Sequence, residues 1–367
     1  MRDHRAEALA QILVRYSTRV KKGDVCSIAS TAAAEPLVQA IYEEVLRAGG
    51  LPILQLQTSG AQAAFYELAS DEQLDWVPPT TEWTVENADV HISVMASLNT
   101  RELSTADPKK QARQQKARKQ IMETSMRRAA EGGYRWSLTL FPTHAFASEA
   151  GMSLSAYEDF YYAACLALDG DPVTAWERQS EQVRRLTDWV QGKEEVRVQA
   201  EGTDITLGVA DRKWIPCVGE HNMPDGEFFT GPLEDSVNGE IVFSFPASYG
   251  GRTVSGVRMR FEDGKVVDAS AEQGEEFLIE MLDTDEGARR LGELGIGTNF
   301  GISTATKEIL LDEKIGGTVH MAIGMAYPES GGTNSSAVHW DMVCDLRRGG
   351  SISVDGEELQ RDGRFLV

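Results

Sequence analysis

The chain has 367 residues, 41% of them hydrophobic, and carries a formal net charge of -21 at neutral pH. That length exceeds what one hydrophobic core usually serves, so about two domains are expected. The charge argues against nucleic-acid and anionic-membrane partners, which it would repel at long range. A charged start, "MRDHRAEALA", and the lack of any apolar run of about 18 residues lead us to expect a cytoplasmic protein.

The first part of the chain alternates helical and strand patterns. Leu9, Ile12, Leu13 and Tyr16 recur at helical spacing, and "VCSIAS" from Val25 reads as a strand. "EPLVQAIYEEVLRAGG", with Pro36 near its start and glycines at its end, predicts a helix leading into the strand "PILQLQ". "DVHISVMAS" from Asp89 and "WSLTLF" from Trp136 are further strands. Strands separated by helices predict an α/β domain with a doubly wound, mostly parallel sheet. Asp107-Pro108 is a cap and first-turn pair for one long basic helix, "KKQARQQKARKQIMETSMRRAAEGG". No aromatic residue interleaves that charge run, so a solvated face or subunit contact is the expectation, not nucleic acid.

A helix over 172–190 is followed by "QGKEE", which places a domain boundary near Lys193: 1–193 forms the α/β domain and 194–367 an α+β domain rich in antiparallel strands. Hairpins are expected around Gly202, Asp263-Gly264 and Asp355-Gly356. One helix, roughly Glu272 to Leu294, interrupts them, with Glu293 at its end. The four cysteines stand apart without a C-x-x-C pair and read as reduced and structural.

The chemistry concentrates in this second half. In "TVHMAIGMA" strand alternation puts His320, Ala322 and Gly324 on one face. In "AVHWDMV" His339 and Asp341 share a face, about 7 Å apart along the strand. Glu227, after the Pro224-Asp225-Gly226 bend, and Glu293, among glycines, are two further carboxylates in constrained segments. By themselves the histidines could equally be core residues satisfied by hydrogen bonds, and H-x-D is a weak signal. Two divalent cations would nearly neutralise the three acids, and mixed nitrogen and carboxylate donors suit zinc, cobalt or manganese. Neither a G-x-S-x-G elbow nor a phosphate-binding P-loop is present.

"HNMPDGEFFTGP", "ELGIGTN", "LDEKIGGTVHMAIGMAYPESGG" and "SAVHWDM" together resemble the signature of the M29 metallo-aminopeptidases, the aminopeptidase T group. The resemblance is dense from Glu220 to Asp345. It implies metal ligands at Glu227, Glu293, His320, His339 and Asp341, with Glu293 bridging two metals, and Tyr327 at the active centre. It also implies release of N-terminal residues from short peptides and a homodimer that encloses the active sites. Glu313 and Asp312 are candidates to orient a ligand imidazole from behind. One rival keeps the fold but makes His320, His339 and Asp341 a ferrous site of a ring-cleaving dioxygenase, with both glutamates as bystanders. A metal-stabilised binding protein is a third reading.

Overall fold

The structure is a computed structural model and describes residues 3–168 and 170–367. The chain divides into two compact units: residues up to Glu177 with Gly219–Met223, and Arg178–Val218 with Pro224–Val367. The changeover therefore falls inside the helix Pro172–Val190, and a five-residue return closes the first unit.

The first unit is built on strands β1 (Val25–Thr31), β2 (Leu51–Gln57), β3 (Val90–Met95) and β4 (Arg135–Leu140). They run parallel in the order β2-β1-β3-β4, and Asn222–Met223 extends the sheet beyond β4. Cys26 and Ile28 on β1 are fully buried, and the helix Glu35–Arg47 covers the sheet with Leu37, Val38, Ile41 and Val45. Parallel strands need such crossovers, which is why apolar strands alternate with amphipathic helices. Three short helices the sequence pattern left unread, Ala61–Leu68, Asp71–Asp75 and Pro79–Asn87, fill the connection from β2 to β3.

The single long basic helix is not observed. Asp107 caps its start, accepting the Lys109 N–H at 2.8 Å, but the helix breaks at Arg118 into Pro108–Ala117 and Lys119–Ala130. Neither piece buries a residue, so no packed stripe holds the two in one line.

The second unit contains an eight-stranded antiparallel sheet ordered 265–270, 258–262, 238–242, 203–208, 195–200, 351–354, 357–361, 364–365. Its turns follow backbone chemistry. Asp355 (φ 50) and Gly356 (φ 80) both sit in the left-handed region that two-residue hairpin loops require, as do Asp263 and Gly264.

A five-stranded antiparallel sheet carries the candidate chemistry. Its strands are β5 (Ile215–Cys217), β6 (Glu227–Thr230), β7 (Leu291–Gly297), β8 (Thr318–Gly324) and β9 (His339–Asp345), ordered β9-β8-β7-β6-β5. One face presents Phe228, Leu294, Ile296, Val319, Met321, Ile323, Trp340 and Met342 to the core of this unit. The expected helix to Leu294 stops at Leu282, so Glu293 lies on a strand. The reason is tertiary: glycines at 292, 295 and 297 weaken a helix by about 1 kcal/mol each, and each is needed against the neighbouring chain. A Cβ at Gly292, for example, would meet the Met325 carbonyl oxygen at 2.2 Å. Among the described residues no helix is long and apolar enough to cross a membrane, and the four cysteines are free.

Candidate metal centre

Strand register assembles the site. Across β9, β8 and β7, Asp341 pairs with Ala322 and Ala322 with Glu293; two residues along, His339 pairs with Gly324; two residues the other way, Val343 pairs with His320 and His320 with Gly295. On the next strand Glu227 pairs with Gly297. Directly paired residues share a sheet face, so Glu227, Glu293, His320, His339 and Asp341 all project from the same side. The positions between them are glycine or alanine, which leaves room above the sheet. Gly295 is indispensable there: a Cβ on it would lie 2.0 Å from Cε1 of the His320 ring.

The five side chains predicted from sequence are therefore brought together. The Glu293 carboxylate stands between the two imidazoles, with Oε1 3.3 Å from His320 Nε2 and Oε2 3.4 Å from His339 Nε2. Glu227 Oε2 lies 3.5 Å from His320 Nε2, and Asp341 Oδ2 3.5 Å from His339 Nε2. Glu227 opens a strand where a loop is expected from its sequence; Gly226 (φ 119) makes the bend before it, against Asn299. Tyr327 follows β8, its ring 4.9 Å from that of His339 and 5.5 Å from that of Phe229. Partial burial, then the charges of Glu293 and Asp341, hold its phenol above the ordinary range.

Two residues enlarge the group. Lys314 is fully buried, with Nζ 3.3 Å from Glu227 Oε1 and in contact with Glu313. Glu313 itself comes within 4.8 Å, atom to atom, of both Glu227 and His320. Of the pair expected to back up an imidazole, Asp312 is excluded: its carboxylate accepts the Thr306 N–H (2.7 Å), the Thr306 hydroxyl (2.9 Å) and the Lys307 N–H (2.8 Å) instead. A lysine in "LDEKIGG" gives no local sign of burial, because of the two acids that meet its ammonium only Glu313 is adjacent, while Glu227 lies 87 positions away.

The donor set fits cations. His339 Nδ1 is 2.8 Å from the Met325 carbonyl oxygen, which can only accept, so Nδ1 carries the hydrogen and Nε2 faces Glu293 and Asp341. Acceptors facing acceptors in a buried site require a positive charge between them, whether proton or metal. Glu227 Oε2 is likewise buried without a hydrogen-bond donor. Without metal, protons must supply the charge. Burial lowers the His320 pKa, but the Glu293 hydrogen bond and the Glu227 charge outweigh it and raise the value to about 10; His339, against the same burial, rises to about 9 through its bond to Glu293 and the Asp341 charge. Burial pushes Glu227 up to about 8 and Asp341 to about 7; burial would raise Glu293 too, but bonds from both histidines hold it down at about 2. Two clusters of ligand-type atoms result, Glu227-Glu313-His320 and Glu293-His339-Asp341. A third, Cys217-Asp225-Glu227, shares Glu227 and includes a thiol that burial keeps well above its usual range.

The sequence profile of the family described as thermophilic metalloprotease (M29) matches residues 2–365. The chain belongs to the M29 family. It is thus a metal-dependent hydrolase acting on peptides, and the family implies a divalent metal. Among M29 relatives it is 27% identical to aminopeptidase 2 of Geobacillus stearothermophilus over 395 residues, spanning 97% of this chain and 94% of that one. It is equally 27% identical to aminopeptidase T of Thermus thermophilus, over 97% of this chain and 95% of the relative. The solved structure of wild-type AmpT from Thermus thermophilus superposes with a TM-score of 0.85 at 26% identity, covering 99% of both chains. A 2,5-dihydroxypyridine dioxygenase from Pseudomonas putida KT2440 shares the fold alone, with a TM-score of 0.59 at 14% identity.

Proposed function

We propose that this chain removes N-terminal amino acids from short peptides, using two divalent metal ions held in its second unit by Glu227, Glu293, His320, His339 and Asp341. The observation that carries the reading is the Glu293 carboxylate, one oxygen toward each histidine. A carboxylate spanning two imidazoles suits a pair of cations, His320 and Glu227 serving one, His339 and Asp341 the other. Zinc, cobalt and manganese accept this mixture of nitrogen and carboxylate donors. When bound, such a pair would supply hydroxide at neutral pH and would stabilise the oxygen charge that develops on attack at a carbonyl.

The remaining work belongs to side chains. Tyr327, kept protonated, donates a hydrogen bond to the developing oxyanion. A site carboxylate receives the free α-amine, which restricts cleavage to the first peptide bond. Lys314 offsets Glu313, so the charge left for the metals to balance is that of Glu227, Glu293 and Asp341. The homodimer that the family resemblance implies is the assembly we infer.

The dioxygenase reading leaves the contact of Glu293 with both histidines without a purpose. The test compares leucyl-nitroanilide with its N-acetylated form. Nitroaniline should be released from the free amine and not from the blocked one. Equal release, or oxygen uptake on a dihydroxylated ring in place of hydrolysis, overturns the proposal.

A further inference from the structure

Against the edge strand β9 lies a cavity of about 240 Å³, walled by Tyr249, Lys307 and Ile309 together with His339, Trp340, Asp341 and Met342 of that strand. That volume is below the usual 300–1,000 Å³ of small-molecule pockets and suits a single residue better than an extended peptide. Lys307 is the only lysine or arginine among its described lining residues. Its side chain is exposed, and among the described residues it takes part in no ion pair.

The backbone at Lys307 is held in an unusual state. Its φ of 67 lies in the left-handed region, which costs a non-glycine residue free energy and persists only where surroundings impose it. Asp312 imposes it: this buried carboxylate binds the N–H groups of Thr306 and Lys307 and the Thr306 hydroxyl. Thr306 is also buried, and its hydroxyl oxygen accepts the Glu308 N–H at 3.2 Å. A buried acid with three donors is thus spent on fixing one turn, and that turn brings the cavity its cation.

We propose that Lys307 binds a carboxylate of the substrate, one residue beyond the bond that is cut. The inference rests on the peptidase reading and narrows its substrate class. In a dipeptide the terminal carboxylate follows the scissile bond by one residue, about 3.5 Å of chain. An acidic side chain on the second residue offers the same group. The two other acids on the wall do not oppose it, since Asp312 is engaged by three donors and Asp341 would be balanced by the metal it is proposed to hold. The ammonium is left to select for negative charge.

The experiment measures binding of uncleavable leucyl-glycine analogues with a reduced peptide bond, by calorimetry on the metal-loaded protein, beside turnover of the matching peptides. Three ends are compared: free carboxylate, amide, and amide with aspartate as second residue. We expect the free acid or the aspartyl amide to bind roughly tenfold more tightly than the neutral amide, with the effect on turnover in KM rather than kcat. Whichever carboxylate binds more tightly identifies the source. In Lys307→Met and in Lys307→Gly, which removes the ammonium but relieves the backbone, the preference should collapse alike to about one; in Lys307→Arg it should persist. Equal binding of all three ends by the wild type, or a preference that survives in both Lys307→Met and Lys307→Gly, overturns the inference. Carboxylate-dependent binding that the Lys307 variants abolish, without any cleavage, would keep Lys307 as a carboxylate site while overturning the peptidase reading and with it the position relative to a cut bond.

Discussion

The two antiparallel sheets of the second unit use the same backbone geometry for opposite ends. In the central strands of the eight-stranded sheet burial alternates, as in Glu195–Ala200, Thr203–Gly208 and Ser351–Val354, and the outward side chains are the less buried ones. In the five-stranded sheet all seven residues of β7 and of β8 are buried, with carboxylates, imidazoles and a lysine massed above one face. The first arrangement stabilises the fold by burying apolar area and leaving polar groups solvated. The second gathers like charges out of water, which is unfavourable until cations arrive. A difference in metal dependence between the two sheets follows.

The largest effect expected is from Glu293→Gln. Replacing the shared carboxylate by an amide should lower hydrolysis of leucyl-nitroanilide by about 10³-fold or more and reduce bound metal in elemental analysis. Full activity in this variant would break the contrast between the sheets. Lys314→Met leaves Glu227 and Glu313 without their buried ammonium, and uncompensated buried charge costs about 3 kcal/mol. Urea unfolding of the metal-free variant should register that loss, and saturating metal should restore part of it. Tyr327→Phe removes one donor without disturbing the ligands. A fall of about 10²-fold in kcat at nearly constant KM is the expected outcome in steady-state kinetics.

The metal-free protein should also respond to alkali in a defined direction. His320 and His339 are raised from 6.5 to about 10 and about 9, and Glu227 from 4.5 to about 8. A raised folded-state value stabilises the fold below the unfolded value, and that stability is lost as pH rises through the folded one. Thermal unfolding without metal should therefore occur at progressively lower temperature from pH 7 to pH 10. With metal bound the trend should reverse, because the ion replaces those protons and its affinity grows as the ligands lose them. The smallest effect belongs to the other sheet. Gly356→Ala, at a φ of 80, should cost on the order of 1 kcal/mol in urea unfolding and leave kcat unchanged.

The same contrast explains what the sequence made legible. Hairpins at Asp263-Gly264 and Asp355-Gly356 are local chemistry, since two adjacent residues must adopt positive φ. His339 and Asp341 share a face for an equally local reason, the twofold period of a strand. Glu293 could not be placed that way. Its segment has apolar spacing compatible with a helix, and only the close approach of Met325 and of the His320 ring makes glycines, and hence a strand, obligatory. The burial of Lys314 was invisible because the turn that carries it meets Glu227 from a strand distant in sequence. The break at Arg118 reflects a missing packing partner, and a sequence pattern registers what is present more readily than what is lacking. The proposed ligand set was suggested by the family resemblance of four motif segments in order, with H-x-D a weak signal alone.

Five side chains on one sheet face are proposed to hold two cations. Isothermal titration of metal-free protein with manganese or zinc, with leucyl-nitroanilide turnover followed in parallel, addresses this most directly. The account predicts saturation at two equivalents per chain, with hydrolysis rising as the second ion binds. Saturation and full activity at one equivalent would contradict it.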